Sequence, residues 1–292
     1  MLTRILSLYA KSKGIGVWVY VNQRALQNHL DEILPLYQSW GVAGIKFGFV
    51  NVGSYRWTTW LHDAVKKCAQ YHLMVDIHDE YRPTGFSRTY PNLLTQEGVR
   101  GNEEMPDANN NTVLPFTRFL CGPADYTICY YHRPELKPRL AETQNARVLK
   151  TTSMHQMALS VVYYSPLQFM YWYDKPEDSK DEPELEFFDH VPTVWDDSKV
   201  LDGEIGKYIT VARRKGDDWF VGSITNNDQR SLNIPLKFLT VGKKYLASIY
   251  YDDPASKVRT KVSIRRIKVD ANSILDAKLI PSGGQAVWIK PL

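Results

Sequence analysis

Acidic side chains follow several predicted strands of this chain. They are Asp79, Glu80, Glu97, Glu103 and Glu104. Because the carboxyl ends of parallel strands lie at one edge of a sheet, we expect the fold to bring these carboxylates together. Paired carboxylates perform the acid and base steps of glycoside hydrolysis, and clustered oxygen atoms bind Ca²⁺. Taken singly, each residue could instead be a solvated charge or the ion-pair partner of a nearby arginine.

Three more residues at strand ends are of types that bind sugars. His78 directly precedes Asp79, and Arg82 lies three residues after it. Trp172 lies at the end of the last predicted strand before the C-terminal domain. Polar side chains orient hydroxyl groups, and an indole ring stacks on a sugar ring. For His78, a structural role, a contact with a sugar hydroxyl and metal ligation all remain open. We predict that His78, Arg82 and Trp172 bind the substrate.

The elements that must position these residues alternate along the first part of the chain. Apolar runs with β-branched and aromatic residues predict strands, and apolar residues at helical spacing predict helices between them. This order is β-α-β-α-β, which predicts a parallel sheet. The predicted elements are strands 14–21, 44–50 and 73–77 and helices 25–40 and 57–71.

The last third of the chain has a different pattern. Short runs of alternating apolar and polar residues, separated by turn residues, begin at about Ile205 and predict an antiparallel β-sandwich domain. We therefore expect an α/β fold over residues 1–204 and a C-terminal β-domain over residues 205–292.

Composition excludes several classes of protein. The 292 residues carry a formal net charge of +4 with no block of basic residues, so nucleic acid is not an expected partner. No apolar run approaches the ~20 residues of a membrane span. The three cysteines have no metal-binding spacing and are predicted to be buried thiols. Aromatic residues make up 12% of the chain, enough to line a sugar-binding cleft as well as a core.

Four segments resemble glycoside hydrolase family 97, which contains α-glucosidases and α-galactosidases. They are IKFGFV, VDIHDEYRPTGFSRTYPNLLTQEGVRGNEE, LPFTRFLCGPADYT and YYSPLQ. The resemblance implies a (β/α)8 (TIM) barrel followed by a small β-domain, an oligosaccharide or other α-glycoside as substrate, and Ca²⁺ in the active site. It implies that Glu103 is the general acid and Asp79 the general base. It also implies that Glu97, Glu103 and Asp79 bind the metal.

Gly48 and Asn22 depart from parts of the family pattern. Retaining members carry their aspartate nucleophile at the place of Gly48, so the resemblance predicts an inverting, calcium-dependent α-glycoside hydrolase. Inverting members have a glutamate where this chain has Asn22, and this favours the alternative of a non-catalytic or vestigial carbohydrate-binding protein. A third hypothesis is a retaining enzyme with Glu80 as the nucleophile.

About six predicted strands are too few to close an eight-stranded barrel. We therefore expect the barrel to be incomplete in this chain, with its first strands and a β-sandwich preceding Met1. Exposed strand edges of this kind favour association into a homo-oligomer. Family members are usually exported, so the resemblance also predicts a periplasmic or secreted protein. Arg4 and Lys11 interrupt the first residues, so we do not expect a signal peptide there.

Overall fold

A computed structural model describes residues 2–130, 149–171, 180 and 182–292. The chain forms two compact units, which are described separately below. The first unit contains residues 1–99, 121–125 and 165–167, and the second unit contains residues 100–120, 126–164 and 168–292.

The first unit is built on a four-stranded parallel sheet in the order β1-β2-β3-β4. Its strands are β1 (Trp18–Asn22), β2 (Gly44–Gly48), β3 (Met74–Ile77) and β4 (Leu93–Gln96). Its helices are α1 (Leu2–Ser12), α2 (Gln23–Ser39) and α3 (Tyr55–Gln70). The β-α-β-α-β order and the parallel sheet are confirmed.

Side chains of β2 point alternately to the two faces of the sheet, and the helices α2 and α3 pack against one of these faces. Ile45 and Phe47 are fully buried in one apolar cluster with side chains of α2 and α3. Trp60 of α3 packs against the Phe47 ring at 6.4 Å between centroids, as its helical spacing predicts. Successive side chains of a strand point to opposite faces, so Lys46 and Gly48 face away from this core.

The two long helices of the first unit begin at capping residues. The Asn22 side chain accepts a hydrogen bond from the Arg24 N–H at 2.8 Å, and Ser54 caps α3 in the same way through Trp57. Such caps satisfy amide groups that have no partner within the helix. Asn22 therefore has a local structural function at the start of α2.

Two predicted boundaries shift in the structure. The pattern of residues 92–99 also predicts a strand, with the end of its run near Glu103, but β4 ends at Gln96, because the chain turns at Gly98, where φ is +47°. We expected a helix from Pro115, but Thr117 has φ −130° and ψ −84°, which divides this segment into two short 3-10 turns. Glu97, rather than Glu103, is thus the first residue beyond β4.

The second unit contains a six-stranded antiparallel sheet in the order β12-β11-β14-β9-β8-β7 and a two-stranded sheet of β10 and β13. Apolar side chains of the two sheets, such as Ala247 and Leu275, form one core. The strands are β7 (Asp197–Glu204), β8 (Tyr208–Lys215), β9 (Asp218–Thr225), β10 (Arg230–Pro235), β11 (Tyr245–Asp252), β12 (Val262–Val269), β13 (Ile274–Leu279) and β14 (Gly284–Pro291). The expected antiparallel strands are confirmed, and their sheet includes β7, which lies before the predicted boundary at residue 205.

The described residues of the second unit also form three α-helices and a short parallel pair of strands. A second core joins Met157 of α5 to Phe187 of α6 and Phe220 of β9. These elements are α4 (Ala108–Val113), α5 (Ser153–Val162), α6 (Glu186–His190), β5 (Ile128–Cys129) and β6 (Met170–Tyr171). Among the described residues, no helix combines the length and hydropathy needed to cross a bilayer.

Asp252, at the end of β11, is expected to make the stability of the chain depend on pH. Burial raises the pKa of this carboxyl from 3.8 to about 7, although Gly284 N–H and Thr152 Oγ1 each donate to it at 3.0 Å. Between these two pH values the folded chain holds a proton that the unfolded chain has released. The free energy of unfolding should therefore fall as pH rises from about 4 to about 7, by about 3–4 kcal/mol.

Urea unfolding at both ends of this pH range measures the effect. The control is Asp252→Asn, which keeps an oxygen acceptor but cannot ionise, and its stability should change less with pH. Identical pH dependence in the two proteins would contradict the assignment.

Candidate active site

His78 and Glu97 lie together at the carboxyl edge of the first unit's sheet. His78 directly follows β3, Glu97 directly follows β4, and His78 Nδ1 is 2.9 Å from Glu97 Oε2. Burial raises the pKa of the Glu97 carboxyl, while its hydrogen bond with His78 opposes that shift. An imidazole and a carboxylate thus share one polar site at the ends of two parallel strands.

Asp79 is fixed beside this pair by its backbone and by its side chain. Its φ is +63°, a left-handed conformation that is uncommon outside glycine. One carboxylate oxygen, Oδ2, accepts the Val50 N–H at 2.9 Å, and the Asp79 N–H donates to the Glu97 carboxylate. Asp79 is half-buried, so its carboxylate is held in place while part of it stays accessible.

Two predicted site residues that follow Asp79 are more exposed than Asp79 itself. Glu80 and Arg82 are exposed, whereas Tyr81 between them is buried and hydrogen-bonds His62 Nε2 through its hydroxyl group at 3.0 Å. Glu80 and Arg82 remain predictions as catalytic and substrate-binding residues. Trp172 lies outside the described residues.

A buried charge cluster in the first unit escaped the sequence analysis. Lys46 of β2 contacts Asp76 at 3.3 Å and also forms an ion pair with Asp125. Both aspartates are fully buried, and only 13% of the Lys46 side chain is exposed. Burial and the neighbouring Asp125 raise the pKa of Asp76, and Lys46 counteracts this rise. Polar residues inside buried strands, as in GIKFG and MVDI, were the signal for this cluster.

Gly48 has no side chain, and the ring of Tyr20 lies where a side chain at this position would begin. A Cβ atom at Gly48 would lie 2.0 Å from Cζ and Oη of Tyr20, which is far inside van der Waals contact. The Tyr20 ring therefore occupies the space into which a side chain at position 48 would extend.

Glu103 belongs to the second unit, where it is exposed on the turn Asn102–Glu104. The buried Asn102 anchors this turn by donating to Thr127 O at 2.9 Å and to Gln156 Oε1 at 2.8 Å. At Gly101, a Cβ atom would lie only 2.6 Å from Tyr126 O, so the approach requires glycine. The turn that carries the exposed Glu103 is thus firmly held.

Two models of one protein family match the chain. The model described as "Glycoside hydrolase 97" matches residues 3–99, and the model described as "Glycosyl-hydrolase 97 C-terminal, oligomerisation" matches residues 194–290. Together they account for well over half of the chain, and they agree with the family resemblance seen in the sequence.

Two curated relatives align with almost the whole chain. A retaining alpha-galactosidase of Bacteroides thetaiotaomicron is 34% identical over 97% of this chain and 43% of its own length. A probable retaining alpha-galactosidase of Streptomyces bingchenggensis is 30% identical over 95% of this chain and 41% of its own length. The chain therefore spans less than half the length of these relatives.

These names contradict the inverting mechanism that we predicted from Gly48, and that prediction is wrong. The absence of a side chain at one strand position removes one carboxylate. Retention, however, requires only that some carboxylate reach the anomeric carbon.

Solved structures agree with the family match. A glycoside hydrolase family 97 enzyme from Pseudoalteromonas sp. strain K8, in complex with acarbose, superimposes with a TM-score of 0.85 and 29% identity. The alignment covers 99% of this chain and 49% of that one.

Proposed function

Because the chain belongs to glycoside hydrolase family 97, we propose that it hydrolyses the glycosidic bond of an α-galactoside. The curated relatives supply the substrate class, since both are named as retaining α-galactosidases. The observation that carries the proposal is the half-buried Asp79 carboxylate, which is fixed at the carboxyl edge of a parallel sheet in a chain of this family. Ligands and catalytic groups gather at this edge in α/β proteins.

We also propose the finer architecture that the family implies. The parallel strands β1–β4 would form part of a (β/α)8 barrel, and the antiparallel domain would follow it. The description of the C-terminal family model supports a homo-oligomer, because it names oligomerisation.

Glu103 is proposed as the general acid. The anchored turn that carries it supports this role, because a proton donor must be held at a constant position relative to the leaving oxygen. The family resemblance assigns the role to this residue.

Asp79 is proposed as the nucleophile that retention requires. Its carboxylate oxygen would bond to the anomeric carbon as the glycosidic C–O bond breaks and the leaving oxygen takes a proton from Glu103. Water would then release the sugar from Asp79 and return a proton to Glu103. Asp79 is better supported than Glu80, because Val50 fixes the Asp79 carboxylate whereas Glu80 is exposed.

The carboxylates of the first unit fit a hard cation such as Ca²⁺. Glu97 is largely buried, and burial raises its pKa, so a bound cation would favour its ionised form. Glu97 and Asp79 would hold the ion with oxygen ligands, which Ca²⁺ prefers. When bound, the ion would supply positive charge to polarise a sugar oxygen.

The second candidate function is carbohydrate binding without turnover. The Tyr20 ring over Gly48 favours it, because this position holds an aromatic ring where the family resemblance expects the nucleophile of retaining members.

Proton NMR of the first product tests the proposed reaction. With an aryl α-galactoside as substrate, the chain should release α-galactose before mutarotation. Asp79→Ala should abolish turnover, and sodium azide should restore it with β-galactosyl azide as the product, because azide replaces the missing nucleophile.

Glu80→Ala tests the alternative nucleophile, and it should keep its activity if Asp79 is the nucleophile. Release of β-galactose first, or full activity in Asp79→Ala without azide, would overturn the assignment of Asp79. Thermal stabilisation by galactose without turnover would support the binding protein instead.

A further inference from the structure

Phe49, directly after β2, has a strained backbone conformation and an exposed apolar side chain. Both cost free energy, so their combination suggests a function. The φ of Phe49 is +51°, a left-handed conformation that is strained for a bulky side chain, and 69% of the residue is exposed. Burial of the ring does not compensate for this strain. Strained residues that the surrounding structure holds in place are typical of ligand-binding sites.

Hydrogen bonds on both following residues fix this strained conformation. Asp79 Oδ2 accepts the Val50 N–H at 2.9 Å, and Gln23 Oε1 accepts the Asn51 N–H at 2.5 Å and the Asn51 side-chain amide at 3.0 Å. Gln23 is buried, so its oxygen has a defined position. Hydrogen bonds to Asp79 and Gln23 therefore fix the backbone that carries the Phe49 ring.

Tyr20 of β1 completes an aromatic surface with Phe49. The two ring centroids are 6.4 Å apart and the ring planes meet at 89°, so the rings form a corner rather than a stack. The Tyr20 ring extends over Gly48 and lies 6.1 Å from the His78 ring. Half of Tyr20 remains exposed. The corner thus lies beside His78 and Asp79 at the same sheet edge.

We propose that the corner of Tyr20 and Phe49 is a binding site for the apolar face of a galactose-type pyranose. An aromatic face carries partial negative charge and attracts the C–H groups of a sugar. In a galactose-type ring the axial 4-hydroxyl group leaves C3–H, C4–H and C5–H on one face, which makes a larger apolar patch than glucose has. This inference rests on the proposed function and adds the residues that select the sugar.

Calorimetric titration with methyl α-galactopyranoside tests this site in the full chain. Phe49→Gly and Tyr20→Ala should each weaken binding roughly five- to tenfold, because each removes one ring face. Methyl α-glucopyranoside should bind the unmodified chain more weakly and lose less affinity in both variants. Tyr55→Ala is the matched control, since Tyr55 is an aromatic residue of the same unit that is 88% exposed, and it should leave affinity unchanged.

Phe49→Gly also separates binding from folding. Glycine adopts positive φ without strain, so this variant should unfold at an equal or higher temperature while it binds more weakly. Saturation-transfer NMR from the aromatic protons should reach H3, H4 and H5 of the galactoside and should decline in both corner variants.

Two results would overturn the aromatic site in distinguishable ways. If the unmodified chain binds and hydrolyses the galactoside and both corner variants bind it equally well, the proposed function stands and the aromatic site does not. If the unmodified chain neither binds nor hydrolyses the galactoside, both fail.

Discussion

Replacing Lys46 by methionine is expected to lower the free energy of unfolding by about 3–5 kcal/mol. The ammonium group lies between Asp76 and Asp125, which are both fully buried. Methionine matches the length of the lysine stem, so the packing changes little. The variant leaves two buried carboxylates without their cation, and the loss of a single partner of a buried ion pair is strongly destabilising.

The same charges determine how the stability of the Lys46→Met variant changes with pH. Without Lys46, the pKa of Asp76 should rise further, because burial and Asp125 already raise it and only the lysine opposes them. The variant should therefore recover stability as pH falls and the carboxyl group becomes protonated. Hydrogen exchange of β2 and β3 amides, together with urea unfolding, measures both effects.

Lys66→Met is the matched control for this prediction. Lys66 forms an ion pair with Asp63 at 3.0 Å, but both side chains are substantially exposed. Exposed pairs contribute little, so the control should change the free energy of unfolding by less than about 1 kcal/mol. Equal losses in the two variants would mean that the Lys46 cluster is not a buried charge site.

Local patterns predicted the first unit well. The helical spacing from Ala25 to Trp40 and from Trp57 to Tyr71 corresponds to α2 and α3, because one face of each helix is buried against the sheet. A strand expected to end near Tyr126 lies slightly later, at Ile128–Cys129, since a strand of two residues shows no period that would fix its position. The division of the chain into two units that each combine distant segments depends on tertiary contacts, which local patterns do not contain.

The strand-end rule predicted part of the site. It placed His78, Asp79 and Glu97 at one edge because parallel strands end there regardless of the separation along the chain. It could not predict Asp125 as a partner of Lys46, because Asp125 does not follow a strand and its contact with Lys46 depends on the tertiary fold.

Two features of the candidate site near β2 depend on the three-dimensional structure and could not be predicted from the sequence. The left-handed φ of Phe49 and the position of the Tyr20 ring over Gly48 are not encoded in a local pattern. The stereochemical error has a related cause. The missing side chain of Gly48 was visible in the sequence, but the contact by which Val50 N–H fixes the Asp79 carboxylate was not. Export to the periplasm or the medium remains a prediction.

Replacing Glu103 by glutamine is expected to reduce kcat/KM for an alkyl α-galactoside by roughly 10²–10⁴-fold. Glutamine has nearly the shape of glutamate but has no proton to transfer to the leaving oxygen. An alkoxide leaves poorly without that proton, whereas a nitrophenolate leaves readily. The loss with a nitrophenyl α-galactoside should therefore be much smaller, and steady-state kinetics on the two substrates measure the difference.

Glu104→Gln provides the matched control one residue away on the same turn. Glu104 is also exposed, but it pairs with Arg100 at 3.0 Å on the surface, and such a pair contributes little. The control should keep the activity of the unmodified chain on both substrates. If Glu103→Gln loses the same factor on the alkyl and nitrophenyl substrates, its defect lies outside proton donation. If Glu104→Gln alone shows the dependence on leaving group, the general acid is Glu104, because only loss of the proton donor makes turnover sensitive to the leaving oxygen.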